Sequence, residues 1–555
     1  MTRSAAMRFL IIALLIVGAA LRLWQYLANT SAWLDEVAVA RNVLDRSLWS
    51  LLTTPLSYDQ TAPMGFLVVE KIMTLLFGRG DYALRFFPLV CSLIALVAFW
   101  RVAERLLDGL AVPAALALFG AAVPLVAFGS QIKQYSSDVA VALLLLWLAL
   151  ELTEPILSLR RALWAGIAGA VLICFSQSAV LVACGLSIPL IFVAWNQRRE
   201  KGIQALRVLS ITLGLWAASS LVAILYGLAS MPPATRTFMH RFWAAGFPPA
   251  DLRGLVEARW PLNQMKAIIG TAADASLGYP VPIVYLALAV IGLYFLWNRN
   301  RVSAALLLAP IVVTIAAAAA GQYPFSDRLI LFLVPAFFIA LGASSEEIRR
   351  RLVPRSRSLG MCALLLIAGL ALSPMILSPP VYHREDMKPV LSYLEANRRP
   401  GDLVYVYYGA APAVTFYAAA YGLHDDEYAI GGCHRGDNRR YFEELDAFRG
   451  GRRVWVLITH SVPRYREDAD ILRYLGSIGV RHDRFVAQSS LLGGGGLPAE
   501  AFLYDLSDPE RLSRAMPESS PVTGASLDDG SAVCGEGPQA MTPPRGLPAR
   551  GLAVQ

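Results

Sequence analysis

Two adjacent carboxylates, Asp35 and Glu36, stand in the stretch "SAWLDEVAVARN" (31–42), directly after an apolar run that reads as a membrane-spanning helix. Charges this near a bilayer are costly unless they meet water or line a site. Two readings fit the pair. In one, Ser31 caps a helix and the carboxylates sit at the positive end of its dipole, each worth about 0.3–1 kcal/mol. In the other, a carboxylate partly desolvated at a water–lipid boundary accepts a proton from a hydroxyl, as general base, or acts as an electrostatic partner.

Three further stretches carry chemistry-bearing side chains. "SQIKQYSSD" (130–138) holds Lys133, Gln134, Tyr135 and Asp138 between two apolar runs. It reads either as a polar loop whose Asp138 caps the next helix, or as a second acid and a cation for the same site. "YPFSDR" (323–328) ends on Arg328, which either snorkels to headgroups or grips a phosphate with its planar fork. "TAPMGFLVVEK" (61–71), with Gln60 before it, brings Glu70 and Lys71. These line a site, or the two charges pair with each other and with water. The six histidines form no ligand pattern; His424 and His434 flank "DDEYAIGGC", where solvated loop residues are the simpler reading than a metal. No Walker loop, G-x-S-x-G or H-E-x-x-H is present, so ATP-driven transport and the familiar hydrolases have no support.

The elements that must position these groups are mostly apolar. Of 555 residues, 56% are hydrophobic and 16% charged, and mean hydropathy is +0.51. That composition fits a polytopic membrane protein with some soluble mass attached. Roughly 20 apolar residues make a span, and about eleven such stretches occur, at 9–28, 84–106, 111–129, 138–152, 161–175, 177–195, 208–229, 279–297, 302–320, 328–344 and 359–378. The N-terminus has the basic start of a signal peptide, but its apolar run is followed by Arg22 and Trp24 rather than a cleavage site, so it reads as an uncleaved first helix. With the N-terminus inside, Arg101/Arg105, Arg160/Arg161, 196–207, 298–301 and 349–357 all fall on the cytoplasmic side, as the positive-inside rule requires. The net charge of +8 is explained by those loops, with no nucleic-acid motif. The acidic pair, 130–138, the Pro-, Arg- and Trp-rich 230–278 loop and 321–328 then lie outside. "YDQTAPMGFLVVEKIMTLLFG" (58–78), apolar but carrying Glu70 and Lys71 at the centre, reads as an amphipathic helix lying in the interface.

From about 380 the pattern changes. A helix, a turn and a Val/Tyr strand (384–409), a strand at 452–460, an amphipathic helix at 468–480 and a strand at 501–506 predict a small α/β domain. Residues from 510 on are rich in Ser, Pro, Gly and Ala and read as disordered. The expected division is 1–379 transmembrane, 380–509 extracytoplasmic α/β, and 510–555 tail. The six cysteines show no CxxC pair or zinc spacing, and no disulfide framework or metal site is implied.

"LRLWQ…SAWLDE…APMGFLVVEKIMTLLFGRGDYALRFFPLVCSLIALVAFWRVAERLL" resembles the N-terminal half of the glycosyltransferase C (GT-C) superfamily. It is most similar to the branch of protein O-mannosyltransferases and the lipid A aminoarabinose transferase, glycosyltransferase family 39 and its relatives. Asp35–Glu36 occupies the acidic pair of the first outer loop, and "LFG…ALRF" is the second match. The resemblance covers roughly 8–150, then fades to hydropathy and "YPFSDRLILFLVP". It implies a GT-C-like fold and transfer of a sugar from a polyprenyl-phosphate donor on the extracytoplasmic face. It also implies inversion of the anomeric centre, with Asp35 as catalytic base and Glu36 beside it. Placement on the outer face makes Arg328 and Lys133 the cations for the donor phosphate, with Asp138, Tyr135, Gln60, Glu70 and Lys71 as further site residues. No cofactor is implied, although a carboxylate pair can hold a divalent cation through oxygen ligands. The acceptor, whether glycan, lipid or protein, has no signature here. Ala, Arg and Leu richness suggests a bacterial inner membrane. The competing readings are a transporter or flippase of lipid-linked sugars, which repeated halves would favour and none is seen, and a non-catalytic envelope scaffold.

Overall fold

The computed structural model describes residues 5–154, 158–201, 204–249, 260, 263, 281–377, 380–461, 465–490 and 498–516. Most of the 230–278 loop and the expected tail lie outside the described residues. The chain divides into two compact units: Met1–Asn29, Val43–Leu56 and Thr61–Val381 form the first, and Thr30–Asn42, Ser57–Gln60 and Tyr382–Gln555 the second.

The helices up to the last apolar run are α1 (Ala5–Leu27), α2 (Leu34–Asp45), α3 (Leu48–Thr53), α4 (Met64–Phe77), α5 (Asp81–Leu106), α6 (Ala111–Ala121), α7 (Val123–Ala127), α8 (Tyr135–Leu152), α9 (Leu159–Ile173), α10 (Ala179–Lys201), α11 (Gln204–Ser230), α12 (Pro233–Phe242), α13 (Val281–Arg299), α14 (Arg301–Ala319), α15 (Val334–Leu352) and α16 (Arg357–Leu377). Among the described residues seven helices are long and apolar enough to cross a membrane, or eight if α6 and the Val123–Ser130 helix, bent by 56°, make one broken span. Phe9, Phe192, Leu225 and Val312 are more than half exposed on these helices, which suits a surface solvated by lipid rather than water.

The bend has a cause and a clamp. Pro124 has no N–H, so the Gly120 carbonyl four residues earlier has no helical donor. Arg22, buried on α1, supplies one: its Nη1 donates to Gly120 O at 2.7 Å and to Gly18 O at 2.8 Å, and its Nε donates to Ser92 Oγ at 2.8 Å. Gly18 and Gly120 let α1 and α6 approach this closely; a Cβ on Gly18 would lie 3.2 Å from the Gly120 Cα. An arginine inside a span is thus fully employed by backbone carbonyls and a hydroxyl. The bend it holds leads into the 128–138 segment.

One end of this unit is basic and self-paired. Arg105 bonds Glu154 at 2.6 Å and also Glu151, Arg299 meets Asp108 at 2.5 Å, and Arg349 and Arg350 grip Glu346. The last turns of α5, α8, α13 and α15 therefore share that end. At the opposite end the segments 128–138, 174–178, 243–247 and 320–328 come together, joined by Ser176 to Asp138 and by Phe325 N to Gly246 O.

The second unit holds α17 (Met387–Asn397), β1 (Leu403–Val406), α18 (Ala411–Tyr417), β2 (Ala429–Ile430), α19 (Asn438–Asp446), β3 (Val454–Ile458), α20 (Glu467–Ile478), β4 (Val480–Val486), β5 (Glu500–Asp505) and α21 (Pro509–Leu512). The sheet order is β2-β1-β3-β5-β4, parallel through β2, β1 and β3 and antiparallel across β3, β5 and β4. β3 is buried at every position, as a strand covered on both faces must be. The charged "VRHDRFV" is an edge strand, mostly exposed, which is where charges blunt unwanted pairing. Cys433 in this unit is disulfide-bonded, a correction to the cysteine reading above, whereas Cys91, Cys174, Cys184 and Cys362 on the membrane helices are free.

Candidate active site

In the second unit the acidic pair opens α2 and the two carboxylates differ. Glu36 is buried and accepts from the Trp33 backbone N–H at 3.4 Å. That is the return half of a capping box, in which the third helical residue reaches back to the cap. Asp35 is half-buried in the same first turn. Ser31 does not cap the helix. It donates to Asp386 Oδ1 at 2.6 Å and accepts from the Lys388 N–H at 2.7 Å, which pins the strand before α2 to the start of α17. Burial alone would raise the Asp386 carboxyl, but the His383 Nδ1 contact at 2.8 Å and the two bonds from Ser31 hold it below the ordinary carboxylate range.

Around the acidic turn the same unit gathers cations and aromatic rings. The Arg384 guanidinium lies 3.6 Å from the Trp33 ring centroid. Lys388 faces Tyr417 at 5.1 Å, and the Tyr417 hydroxyl accepts from the Ala32 N–H at 2.8 Å. Arg41 bonds the Thr415 hydroxyl. Asn42 exchanges two bonds with the Ser57 backbone, at 3.2 and 3.0 Å, and so holds the short 57–60 turn on α2. In that turn Tyr58 and Asp59 both adopt left-handed backbone, φ 64° and 51°, at a cost of about 1–3 kcal/mol each. Gln60, buried, donates to Tyr58 O at 2.9 Å and fixes this turn from within.

In the first unit Lys133, Tyr135, Asp138 and Arg328 are each at least nine-tenths buried. The Arg328 guanidinium lies 5.8 Å from the Tyr135 ring and 5.3 Å from Trp243. The Tyr323 hydroxyl donates to Leu329 O at 2.8 Å and fixes the turn that carries Arg328. Asp138 sits in the first turn of α8 but does not cap it. Its Oδ1 accepts from Ser176 at 2.5 Å, and Ser176 in turn caps the start of α10 through the Ala179 N–H. Three buried polar atoms in the same segment, Gln131 Oε1, Gln134 Oε1 and Ser136 Oγ, make no hydrogen bond. Buried polar groups are almost always bonded, so three unbonded atoms within 131–136, the segment of the buried Lys133, stand out among the described residues.

Glu70 and Lys71 go opposite ways, because neighbours in sequence do not face each other on a helix. Lys71 donates to Val43 O at 2.7 Å. Glu70 is completely buried with neither oxygen bonded, and burial pushes its carboxyl well above the ordinary range. Leu75, Leu76 and Phe77 of the same helix are exposed. α4 thus buries its acid together with Phe66 and Leu67 and exposes the apolar residues of its last turn. Among the described residues no group of three or more His, Cys, Asp or Glu is arranged to hold a metal ion.

Sequence reasoning did not single out Arg384, Asp386, Trp33, Trp243 or Ser176. The cluster "HRED" directly after the last apolar run was the available signal for the first two.

No family model and no curated protein matches the sequence. Among solved structures the chain is similar to the oligosaccharyltransferase of Archaeoglobus fulgidus in its apo form, with TM-score 0.48 and 11% identity over 92% of this chain and 76% of that one. It is also similar to ArnT from Cupriavidus metallidurans bound to undecaprenyl phosphate, with TM-score 0.47 and 11% identity over 90% and 98%. A third is the mycobacterial arabinofuranosyltransferase AftD, with TM-score 0.38 and 15% identity over 90% and 40%. These structural neighbours are GT-C glycosyltransferases.

Proposed function

We propose that the chain is a membrane glycosyltransferase that moves a sugar from a polyprenyl-phosphate donor to an acceptor hydroxyl outside the cytoplasm, with inversion. The observation that carries this reading is the burial of two cations in the first unit, Lys133 and Arg328, together with atoms of Gln131, Gln134 and Ser136 in the segment of Lys133 that make no hydrogen bond. A polyprenyl phosphate asks for this combination: cations for its phosphate, and hydrogen-bonding atoms held at the depth where its lipid tail keeps it. A small apolar cleft lined by Ala142, Leu146, Leu186, Leu307 and Phe332 begins one helical turn from Asp138 and offers an isoprenyl tail a place to start.

The acceptor oxygen bonds to the anomeric carbon as the bond from that carbon to the phosphate oxygen breaks. The electron pair leaves on the phosphate, whose growing charge the cations neutralise. The acceptor proton passes to Asp35, because Glu36 is committed to the Trp33 N–H. Phosphate is already a good leaving group, so a strong general acid is not required. The basic loops gathered at one end of the first unit favour a cytoplasmic position for that end. The disulfide at Cys433 favours an oxidising compartment for the second unit. Together they suit a bacterial inner-membrane protein.

The test is donor turnover by purified protein with radiolabelled polyprenyl-phosphate sugars and a membrane extract as acceptor source, with and without EDTA, for wild type and Asp35→Asn. Transfer by wild type that falls at least a hundredfold in Asp35→Asn supports the reading. Equal transfer in both removes Asp35 from the chemistry. Movement of donor across a vesicle membrane with no polyprenyl phosphate released would replace the transferase by a flippase.

A further inference from the structure

The second unit carries a polar site that the transfer reaction does not use. In the order β2-β1-β3, the chain leaves β1 through α18 toward β2 and leaves β3 through α20 toward the other edge. Sheets of this kind bind ligands where such connections diverge, beyond the carboxyl ends of the two strands. Here those ends are Tyr407–Tyr408–Gly409 and Thr459–His460–Ser461. The two turns touch: a Cβ on Gly409 would lie 2.8 Å from Thr459 O and 3.2 Å from the His460 Cβ. Arg435 reaches over from the loop before α19. Its Nη2 donates to His460 O at 3.1 Å, and its guanidinium carbon is 5.1 Å from the Tyr408 ring centroid.

Three polar atoms at this place make no hydrogen bond: Tyr408 Oη, Thr459 Oγ1 and Arg435 Nε. The Tyr408 and Thr459 residues are 7% and 2% exposed, and the Arg435 side chain 6%. A single orphan is tolerable; three on touching turns at a strand crossover require a partner. Arg435 already faces a counter-charge. Glu467 Oε1 stands 3.6 Å from Arg435 Nε, too far to satisfy its N–H but near enough to neutralise it, and Glu385 meets His460 Nδ1 at 2.9 Å. What remains open is two hydroxyls, each able to donate or accept, and one N–H donor.

We infer that the carboxyl edge of the sheet between β1 and β3 is a binding site for an uncharged, hydroxyl-rich ligand of the saccharide class, held by Tyr408, Thr459 and Arg435. The site stands whether or not Asp35 is a catalytic base. It is tested on the full chain in lipid nanodiscs, titrated with methyl α-mannopyranoside, methyl α-galactopyranoside and methyl α-arabinofuranoside, with inorganic phosphate as the anionic comparator and saturation-transfer NMR as the readout. Thr459→Val and Tyr408→Phe each delete one orphan hydroxyl and little else, so both variants keep the wild-type unfolding midpoint. Each weakens binding of a glycoside at least tenfold, and Asp35→Asn binds as wild type does. Absence of glycoside binding in wild type overturns the site, as does binding of phosphate in place of the glycosides. Unchanged affinity in both variants also overturns it, as does a lowered unfolding midpoint in both, which would mean the hydroxyls had partners. Loss of binding in Asp35→Asn would move the saccharide to the acidic turn.

Discussion

Arg22→Met removes the clamp on the broken helix, and its cost follows from what the three shorter of its four lost bonds leave behind, the fourth being the 3.4 Å contact to Phe119 O. Gly18 O keeps its own helical donor, the Arg22 backbone N–H, and Ser92 Oγ keeps a contact to Leu125 O at 3.4 Å. Gly120 O keeps nothing, because Pro124 cannot donate to it. One stranded buried carbonyl costs about 1–3 kcal/mol. The relief of no longer burying a guanidinium offsets part of this, and the unfilled volume adds to it, so a net loss of about 1–3 kcal/mol is expected. The assay is a double-mutant cycle on purified protein, by thermal or denaturant unfolding of wild type, Arg22→Met, Pro124→Ala and both together. Pro124→Ala returns an N–H to the chain and lets α6 and α7 close over Gly120 O. Arg22→Met should therefore cost less in the Pro124→Ala background, with a coupling of about 1 kcal/mol, above the few tenths expected of independent sites. Additive effects would refute the clamp. Preserved stability in Arg22→Met would show that Gly120 O finds another donor.

The two members of the acidic pair should separate. Asp35→Asn abolishes transfer with unfolding unchanged, whereas Glu36→Gln, which can still cap, keeps activity, and Glu36→Ala loses about 0.5–2 kcal/mol of stability; unfolding curves and donor turnover on the three variants check this. Arg328→Lys keeps the charge but loses the planar fork between Tyr135 and Trp243, so donor affinity falls about tenfold or more, read from the KM for donor. The Asp386 carboxyl lies below its ordinary value in the folded chain, so its stabilisation is complete above the unfolded value of about 3.9. It is lost as pH falls through the folded value; Asp386→Asn should flatten unfolding midpoints below about pH 4. Glu70 has the opposite sign. Its raised carboxyl makes stability fall as pH climbs above about 4.3, so Glu70→Gln should raise the midpoint at pH 7 and leave it unchanged near pH 4.

The periodicities legible in the sequence were those with a long physical range. Apolar runs of span length and the placement of arginines gave the helices of the first unit and the side its basic loops share, because bilayer solvation acts on whole segments. A run of Val and Tyr gave β1, and the short apolar stretches in 452–460 and 501–506 gave β3 and β5. The edge strand Val480–Val486 was missed because exposed charges on both faces erase the alternation, and β2 because two residues carry no period. The acidic pair could be found, but not its division of labour. Only folding decides that Glu36 turns back onto Trp33, that Ser31 bonds Asp386 355 residues away, and that Arg384 stacks on Trp33. The same holds for Glu70 and Lys71, which the one-dimensional chain sets side by side and the helix points apart. Sequence lists which groups can do chemistry and which segments seek lipid. Which of those groups keep an unsatisfied atom, and so have something left to offer a ligand, depends on contacts between residues far apart in the chain.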